Sequence, residues 1–395
     1  MTTNTYDLII VGAGVVGCST AFHASQLGAK VLLIDRAGIA EGTSAQSSGI
    51  LRTHYSVREN VALAHQSYAV FENFANYLQD EDAASGFNRC GYLIVADEAK
   101  ADAVKASIAQ QAQMGIAAEL VSAEQAVALL PLLDPSGLCV FGYEPDAGYA
   151  DAYLVATGFA SAARRLGARI QTNTPVQSLI HTGTRVTGVQ TTQGSFYAAC
   201  VLTAANVWSN RLLSSLPQLP PIPLLAQRHE VIALEAPLPY LPSYPVFKDM
   251  ASPGMLYARS YGRSQLLVSK GTQGPEAEPD EGQADVPLDL VADIGEQIAM
   301  RLPSFAQAGL VSSWTGLYDV TPDWNPVLGA LPGWTGLQVA FGFSGHGFKL
   351  SPMVGKLLAQ SALGLPTEVD MQPYRYTRFA QGAAFEGLYG KGAVS

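Results

Sequence analysis

The sequence predicts an α/β fold, and three observations support that prediction. The N-terminal stretch has the pattern of a short apolar strand, a glycine-rich turn, a helix and a second apolar strand. Further strand-like and helix-like segments follow over most of the 395 residues. In addition, 48% of the residues are hydrophobic and only 14% are charged, so the chain has enough apolar material for a large core. Its length corresponds to about two to three domain-sized units.

The N-terminal segment is typical of a Rossmann-type dinucleotide-binding unit. Residues 8–11 form a predicted buried strand, a helical stretch extends to about Gly28, and KVLLID is a second predicted buried strand. Between the first strand and the helix, Gly12, Gly14 and Gly17 form the pattern G-x-G-x-x-G. A lone pattern of this kind is weak, but here the strand before it and the helix after it supply the structural context that the motif requires.

Each part of this motif has a predicted role in holding a dinucleotide. Gly12 permits the tight turn, Gly14 lets the backbone approach a pyrophosphate, and Gly17 lets the helix pack close to the strand. The helix N-terminus offers free N–H groups and a positive dipole end to the phosphates. Asp35 follows roughly 20 residues on, where a carboxylate accepts hydrogen bonds from a ribose diol. The motif alone does not distinguish FAD from NAD.

A loop of small, hydroxyl-bearing residues favours FAD. The stretch GIAEGTSAQSSGILRTHYS follows the second strand, where a nicotinamide-binding Rossmann domain would normally continue with alternating strands and helices. Such a loop can lie along an extended cofactor, with Ser44, Ser47, Ser48 and backbone N–H groups reaching phosphate and ring. Arg52 and His54 lie behind it. The alternative is a solvated surface turn, which seldom needs so many consecutive small residues.

The rest of the chain predicts a second unit of strands and helices. The segments CGYLIVA, QRHEVIAL, MLYARS and SQLLVSKG are predicted strands, and KADAVKASIAQQAQMG is a predicted helix. SAEQAVALLP is another, with Ser122 as N-cap and Gln125 completing a capping box. DAYLVATGFASAARRLGARI predicts a helix that leads into a strand. LPQLPPIPLL predicts a rigid crossing between domains, and GPEAEPDEGQADVP predicts a solvated acidic loop.

Five separated motifs occur in a specific order along nearly the whole chain. They are the fingerprint up to LLIDR, then SAQSSGILRTHYS, then TNTPVQSL with RVTGVQTTQG and VLTAANVWS, then WTGLYDVTPDWNPVLG, and finally FGFSGHGFKLSP. The set resembles the D-amino-acid-oxidase-like flavoenzymes, and within them the sarcosine oxidase and sarcosine oxidase β-subunit branch. The resemblance implies a Rossmann-type FAD-binding domain from residues 1–82, 146–217 and 316–395. An inserted α+β substrate domain with a mixed sheet would comprise residues 83–145 and 218–315.

The resemblance also implies which residues contact FAD. The loop before the last helix would lie over the pyrimidine end of the flavin, and the helix, beginning near Ser351, would direct its positive N-terminus there. Val176 would contact the adenine, whereas Asn206 stands where many relatives have glycine. His346 and Lys349 would add positive charge near the reduced flavin. The predicted cofactor-binding residues are Gly12, Gly14, Val15, Val16, Gly17, Asp35, Arg36, Ser44, Ser47, Ser48, Gly49, Val176, Asn206, Gly316, Gly345, His346, Gly347, Phe348 and Lys349.

The implied reaction is the FAD-dependent oxidation of the C–N bond of an amino acid or an N-alkyl (secondary) amino acid. A hydride passes from the substrate to flavin N5, and the resulting imine hydrolyses. Arg52 and Lys349 match positions that hold the substrate carboxylate in monomeric sarcosine oxidases, with His346 and Tyr257 as further catalytic candidates. A structural salt bridge is the alternative for Arg52, and Tyr257 and Arg259 face either the pocket or solvent.

Three departures from the family pattern qualify this prediction. Gly316 stands where monomeric sarcosine oxidases carry the cysteine that bonds the flavin, so we predict non-covalent FAD, with His54 a remote candidate for another linkage. Tyr318 stands close to the position of an arginine that glycine and D-amino-acid oxidases use. The oxygen-activating lysine of monomeric sarcosine oxidases falls near Leu267, with Lys270 out of register, so oxidase and dehydrogenase both stay open.

Other functions stay open beside this one. A D-amino-acid or glycine oxidase is the nearest alternative, and a flavin-bearing assembly or scaffold protein, or a subunit inactive alone, is a different class. An NAD-linked dehydrogenase is disfavoured because the GFSGHGFK loop would have no role. The expected partners are a small carboxylate-bearing amine and O2 or another electron acceptor. A homo-oligomer or a larger oxidase complex stays open.

Charge and cysteine usage narrow the remaining classes. The net charge of −10 and the pI near 5.1 argue against nucleic-acid binding. The four cysteines form no CxxC pair, which argues against a metal site or a disulfide framework and predicts a cytoplasmic location. No apolar run reaches the roughly 18 residues of a membrane span. The N-terminal residues lack the basic start and cleavage site of a signal peptide.

Overall fold

A computed structural model describes residues 5–219, 221–280 and 285–389 of the chain. Its strands are β1 (Thr5–Val11), β2 (Val31–Ile34), β3 (Ile50–Leu51), β4 (Asn88–Arg89), β5 (Tyr92–Ala96), β6 (Glu119–Leu120), β7 (Val140–Glu144), β8 (Gly148–Tyr149), β9 (Arg169–Gln171), β10 (Val176–Thr182), β11 (Arg185–Thr191), β12 (Gly194–Thr203), β13 (Leu225–Glu235), β14 (Val246–Asp249), β15 (Tyr257–Tyr261), β16 (Gln265–Ser269), β17 (Gly309–Val320), β18 (Val327–Ala330) and β19 (Leu337–Phe341). Its α-helices are α1 (Val15–Gln26), α2 (Arg58–Glu72), α3 (Phe74–Leu78), α4 (Ala101–Gln113), α5 (Ala123–Leu129), α6 (Ala152–Arg165), α7 (Ser209–Leu213), α8 (Leu288–Arg301) and α9 (Gly347–Ala362).

The first large sheet has the parallel centre expected of a Rossmann-type unit. Its strand order is β10-β11-β12-β1-β2-β9, and β19 pairs with both β12 and β18. β1 runs parallel to β2 and to β12, and the last residue of β1, Val11, pairs with Ile34 on one side and Thr203 on the other. Three parallel strands therefore end side by side. Ligands of open α/β sheets bind outside such carboxyl ends.

Helix α1 packs between α6 and α9, and small residues make this close packing possible. A Cβ atom on Gly17 would lie 1.8 Å from the Gly12 carbonyl oxygen, so only glycine lets α1 approach the end of β1 in this way. A Cβ atom on Gly355 of α9 would lie 2.2 Å from Ser19 Oγ of α1. The close packing that the sequence predicts for Gly17 is therefore confirmed.

The second large sheet is mixed and has the order β17-β13-β16-β15-β14-β5-β7-β6. Only the β14–β5 pair is parallel among the described strands of this sheet. Apolar side chains cover both faces, including Phe247 and Ile298 in one cluster and Ile94 and Val104 in another. The predicted α/β fold with a mixed substrate-domain sheet is confirmed. The predicted domain bounds stay a prediction; β17 runs continuously through the proposed boundary after residue 315.

Helix α9 begins at Gly347, one turn before the start near Ser351 that the sequence predicts. Pro352 lies inside the helix and lacks the N–H that would bond to the Phe348 carbonyl. The Ser351 hydroxyl donates to that carbonyl instead, at 2.8 Å. The Ser-Pro pair therefore resembles a helix start in sequence but is accommodated within a helix.

Two further predictions can be compared with the structure. The capping box of Ser122 and Gln125 is confirmed at the start of α5. The acidic segment is not fully solvated, because Asp280 accepts hydrogen bonds from Trp208 Nε1 at 2.7 Å and from Arg36 at 3.1 Å, and also contacts Arg211. Residues 281–284 of that segment and residue 220 of the proline-rich stretch lie outside the described residues.

A buried ion pair holds the C-terminal segment against the first sheet. Arg378 donates from Nε to Asp323 Oδ2 at 2.8 Å and from Nη2 to Oδ1 at 2.9 Å. Its guanidinium also donates to the carbonyls of Tyr374 and Pro326. Both members of the pair are almost fully buried. Removing one of them would leave the other as a buried charge without its partner.

We therefore expect Arg378→Ala to lower the free energy of unfolding by about 3–5 kcal/mol, as is usual when one partner of a buried pair is lost. Urea denaturation followed by circular dichroism measures the change. Lys105→Ala is the matched control, because Lys105 pairs at 3.8 Å with the exposed Asp102 and should change stability by less than about 0.5 kcal/mol. Equal effects of the two substitutions would contradict the assigned role of the buried pair.

Candidate active site

A cleft lies where β1, β2 and β12 end, and it consists of two connected cavities. The larger cavity, about 740 Å³, follows the ends of these strands. The smaller, about 120 Å³, lies between the start of α1 and the second sheet. Gly14, Ser44 and Asn206 line both cavities, so together they form one elongated space. Its shape fits an extended dinucleotide with a reactive ring at one end.

The backbone around the larger cavity is held in a geometry that few side chains would permit. Gly12 has φ +113°, and a Cβ atom there would lie 2.3 Å from the Ala204 carbonyl oxygen. Asp35 accepts hydrogen bonds from the backbone N–H groups of Ala13 at 2.6 Å and Ala37 at 2.8 Å, which fixes its carboxylate at the end of β2. The start of α1 thus faces the cavity with its positive dipole end, which suits a phosphate.

Most of the residues predicted to contact the cofactor line this cleft. Those lining the larger cavity are Gly12, Gly14, Asp35, Arg36, Ser44, Val176 and Asn206. Those lining the smaller cavity are Gly14, Val15, Val16, Gly17, Ser44, Ser47, Ser48, Asn206, Gly316, Gly345, Gly347, Phe348 and Lys349, together with the predicted catalytic residue Tyr257. The cradle of glycines and the elongated cavity fit FAD, although contact of each residue with the cofactor stays a prediction.

Gly49 belongs to the predicted set but lies behind the cleft. Its φ is +70°, and a Cβ atom would lie 2.1 Å from the Ala150 carbonyl oxygen. Its N–H donates to Ser47 Oγ at 3.1 Å. Ser44 Oγ accepts from the Val15 N–H at 3.2 Å, at the first residue of α1. Gly49 therefore shapes the loop that positions the serines of the smaller cavity.

Arg52 is buried, and it forms no direct ion pair with an acid among the described residues. Its guanidinium carbon lies 4.7 Å from the ring centroid of Tyr55 and 5.7 Å from that of Tyr92. Within the described part of the chain, Nη1 is buried and has no hydrogen-bond partner. The nearby Glu144 accepts instead from Thr53, at 2.8 Å, and from other neighbours. The alternative of a structural salt bridge for Arg52 finds no support among the described ion pairs.

Lys349 is a second buried cation beside Tyr55. Its Nζ lies 6.0 Å from the Tyr55 ring centroid and donates to the Gly345 carbonyl at 3.3 Å. Burial, and then the charge of Arg52, lower the pKa of Lys349 well below its ordinary value of 10.5. A carboxylate bound near both cations would raise the pKa of Lys349 again, because its negative charge stabilises the protonated lysine. The pair therefore has the charge and the burial to hold a small anion next to the smaller cavity.

The surroundings of His346 argue against the positive charge predicted for it. Burial, followed by the charges of Lys349 and Arg52, lowers the pKa of His346 well below its ordinary value, so the imidazole is neutral. Its ring packs edge-on against Tyr55, with centroids 5.1 Å apart, and does not line either described cavity. Protonation of His346 would cost free energy, because it would add a third buried positive charge near Lys349 and Arg52.

His54 is not placed to bond a flavin. Its Nε2 lies 2.6 Å from the Tyr389 hydroxyl, and its Nδ1 lies 3.0 Å from Gln111 Oε1. Both ring nitrogens are thus engaged in a buried network away from the residues that line the cleft. The remote candidacy of His54 for covalent attachment is therefore wrong.

A wall of aromatic rings closes the smaller cavity on the substrate-domain side, and sequence reasoning missed one of its members, His229. It consists of His229, Tyr257 and Tyr318, which all line the cavity. The rings of His229 and Tyr318 stack with centroids 4.0 Å apart. QRHEVIAL was interpreted only as a strand. Gln227, His229 and Val231 are buried at alternating positions of β13, and this two-residue period could have identified His229 as inward-facing.

Three other basic residues of the second sheet and its flanks have structural contacts. Arg259 donates from Nε to the Ser48 carbonyl at 2.5 Å, so it links the second sheet to the serine loop. Lys270 lies at the surface and pairs with Asp293, so it does not serve the cavity. Lys248, which sequence reasoning missed, is buried on β14 and donates to the Met255 carbonyl at 2.8 Å. Burial lowers the pKa of Lys248 to about 7.

Two other searches of the described residues gave negative results. Groups of three or more His, Cys, Asp or Glu side chains that could hold a metal ion do not occur in these ranges. Among the described helices, each is too short or too polar to cross a membrane.

The chain belongs to the FAD dependent oxidoreductase family named DAO, whose model matches residues 7–361. It is therefore an FAD-dependent oxidoreductase, and FAD is its cofactor. N-methyl-L-tryptophan oxidase of Salmonella heidelberg is 27% identical, over 95% of this chain and 100% of that protein. Glycine oxidase of Geobacillus kaustophilus is 26% identical, with a TM-score of 0.83 over 95% of this chain and 99% of that one. L-Proline dehydrogenase of P. horikoshii has a TM-score of 0.88 at 23% identity, over 96% and 99%.

The lowered pKa of Lys349 predicts how carboxylate binding depends on pH. The lysine attracts a carboxylate only while it is protonated, so affinity should fall as pH rises through its lowered pKa, before an ordinary lysine would lose its charge. Acetate serves as the probe, and its dissociation constant is measured by flavin absorbance across the pH range. We expect the loss to reach about tenfold, the size expected for one hydrogen bond to a charged group.

Lys349→Arg should move this loss to higher pH, because a guanidinium keeps its proton. Lys270→Arg is the control and should leave the profile unchanged, since Lys270 pairs with Asp293 at the surface. Identical profiles for the wild type and Lys349→Arg would exclude Lys349 as the titrating group.

Proposed function

We propose that the protein oxidises the C–N bond of an amino acid or an N-alkyl amino acid to an imine, which then hydrolyses. Bound FAD supplies the two-electron oxidation, while the protein binds and orients the substrate. The substrate is a small amine that carries a carboxylate. The acceptor that returns the protein to its starting state is O2 or another electron acceptor, and these are the partners we propose.

The observation that carries this proposal is the buried pair of cations beside the smaller cavity. Arg52 has a buried Nη1 without a partner within the described residues, and both Arg52 and Lys349 lie close to the ring of Tyr55. Burying two unpaired cations costs free energy unless an anion joins them. A substrate carboxylate supplies that anion, with a planar two-point contact to the guanidinium and a point charge at the ammonium.

The remaining residues of the cavity would orient the substrate and exclude water. His229, Tyr257 and Tyr318 form one wall, and Phe343 and Phe348 contribute apolar surface on the side of α9. A cavity closed by rings lowers the local dielectric and strengthens each contact with the carboxylate. The named relatives support the substrate class, because their names specify an N-methyl amino acid, glycine and L-proline.

An alternative is a flavin-bearing assembly or scaffold protein, or a subunit that is inactive alone. The buried cations favour catalysis, because a scaffold has no need of an anion site beside the flavin. A D-amino-acid or glycine oxidase is closer to our proposal and differs from it in substrate only. The two-domain division, the cytoplasmic location and membership of an oligomer or larger oxidase complex stay predictions.

The decisive experiment adds amino acids, N-methyl amino acids and cyclic imino acids to the purified protein under anaerobic conditions. We expect one of these classes to bleach the visible flavin absorbance, and admission of air then separates oxidase from dehydrogenase. Arg52→Gln should slow flavin reduction at low substrate concentration by about 100-fold, since it removes the buried cation that would pair with the substrate carboxylate.

Arg58→Gln is the matched control, because Arg58 is an exposed arginine of α2, away from the cleft. It should bleach at the wild-type rate. A protein that retains FAD but is bleached by none of the three substrate classes would overturn the proposal in favour of the scaffold or missing-subunit alternative.

The FAD of this protein should be held without a covalent bond. Gly316 lines the smaller cavity but has no side chain to bond the flavin, and both nitrogens of His54 are hydrogen-bonded elsewhere. Acid precipitation should therefore release all of the yellow flavin into the supernatant, as measured by its visible absorbance. Flavin that stays in the washed pellet would show that another side chain attaches it.

A further inference from the structure

His229 lies at the centre of a buried hydrogen-bond cluster on the wall of the smaller cavity. Its Nε2 is 2.7 Å from the Tyr257 hydroxyl and 2.9 Å from Ser269 Oγ. The rings of His229 and Tyr257 are close to parallel, at 9°, and Tyr318 stacks on the imidazole. Ser269 is fully buried, and His229 and Tyr257 are nearly so. These contacts fix the positions of the rings, so the remaining question is which atoms carry the protons.

The proton of Ser269 can be assigned from its neighbours. Ser269 Oγ lies 2.5 Å from the Glu230 carbonyl oxygen, which can only accept a hydrogen bond. The single hydroxyl proton is therefore donated to that carbonyl. Ser269 Oγ then presents only lone pairs to His229 Nε2. Two lone pairs at 2.9 Å would repel each other, so Nε2 must carry a proton.

The charge of His229 does not change this assignment. Burial, and then the nearby charge of Lys248, lower the pKa of His229 to about 3, so the imidazole is neutral and has one ring proton. That proton is on Nε2, where Ser269 and Tyr257 both lie within hydrogen-bond distance. A protonated Nε2 has no lone pair, so the Tyr257 hydroxyl accepts from His229 and cannot donate to it.

We infer that His229 is a positioning residue: its Nε2–H holds the Tyr257 hydroxyl so that Tyr257 donates its own proton into the smaller cavity. Ser269, Tyr318 and Ser48 all lie within hydrogen-bond reach of the same hydroxyl. Of these three, Tyr318 and Ser48 line the smaller cavity, so the Tyr257 hydroxyl is directed to that side. Tyr257 thereby presents a hydrogen-bond donor to an acceptor atom of a ligand, such as a carboxylate oxygen. With the opposite tautomer it would present only lone pairs, which suit an ammonium N–H.

The inference about the proton stands on the contacts of His229 alone, whereas its consequence for a carboxylate ligand rests on the proposed function. Two measurements separate the two. The first is a ¹⁵N–¹H correlation spectrum of the FAD-loaded protein labelled at its histidines. The signals of His229 are those missing from His229→Phe, and their pattern distinguishes a proton on Nε2 from one on Nδ1.

We expect His229 to carry its proton on Nε2. A proton on Nδ1 would overturn the inference, whatever the ligand-binding experiments show. FAD content and the visible flavin spectrum of His229→Phe establish that the variant has folded, because phenylalanine keeps a ring to stack on Tyr318.

The second measurement is acetate binding, followed by the change in flavin absorbance. Tyr257→Phe should raise the dissociation constant about tenfold, as expected for a lost hydrogen bond to a charged group. His229→Phe should raise it about three- to tenfold, because the donor remains but is no longer oriented. The double variant should bind acetate no more weakly than Tyr257→Phe, since both changes act through one hydroxyl.

His229→Gln is the matched variant, because its amide can supply an N–H close to the position of Nε2, and it should restore binding to within about twofold of the wild type. Additive losses in the double variant would contradict the positioning role. Failure of the wild type to bind acetate would count against the proposed carboxylate site. The ¹⁵N–¹H spectrum would still test whether His229 carries its proton on Nε2.

Discussion

The close approach of α1 to the end of β1 is the constraint on which the rest of the site depends. Because Gly17 has no side chain, the first turn of α1 lies against the Gly12 carbonyl, and the helix N-terminus faces the cleft. The same helix packs on α9 through Gly355. The start of α9 and the loop before it are thereby brought to the cleft as well. Two close contacts, Gly17 on Gly12 and Gly355 on Ser19, thus bring two helix N-termini to the carboxyl ends of three strands.

The second constraint is electrostatic. Arg52, Lys248 and Lys349 are all buried, and Lys349 lines the smaller cavity. The buried acids of this region have other partners: Glu144 accepts hydrogen bonds from Thr53, Asp249 pairs with Arg301, and Asp319 accepts from the Gly342 N–H. Burial, and then the charge of Arg52, lowers the pKa of both lysines, and burial followed by neighbouring cations lowers the pKa of His229 and His346. A neutral histidine can serve as a directional hydrogen-bond donor. Burial and the neighbouring cations thus keep His229 neutral, while its contact with Ser269 determines which ring nitrogen carries the proton.

Much of the fold and of the cofactor cleft could be predicted from the sequence, because these features depend on local pattern. The glycine fingerprint, the buried strands and the capping box at Ser122 each express a preference of a few adjacent residues, and the structure has all of them. The start of α9 could not be predicted in this way. Whether Ser351 precedes a helix or lies inside one depends on whether its hydroxyl can replace the hydrogen bond that Pro352 lacks.

The sequence by itself therefore determined the α/β class, the FAD-binding motif and the residue types available to the site. Only the tertiary structure decided their charges and contacts. The pKa of His346 is lowered first by its burial and then by the charges of the neighbouring Lys349 and of Arg52, which comes from a distant segment. His54 is engaged by Gln111 and Tyr389, and His229 of β13 meets Tyr257 of β15 across the intervening β16. Protonation and hydrogen bonding depend on neighbours in space, and no local pattern along the chain specifies those neighbours.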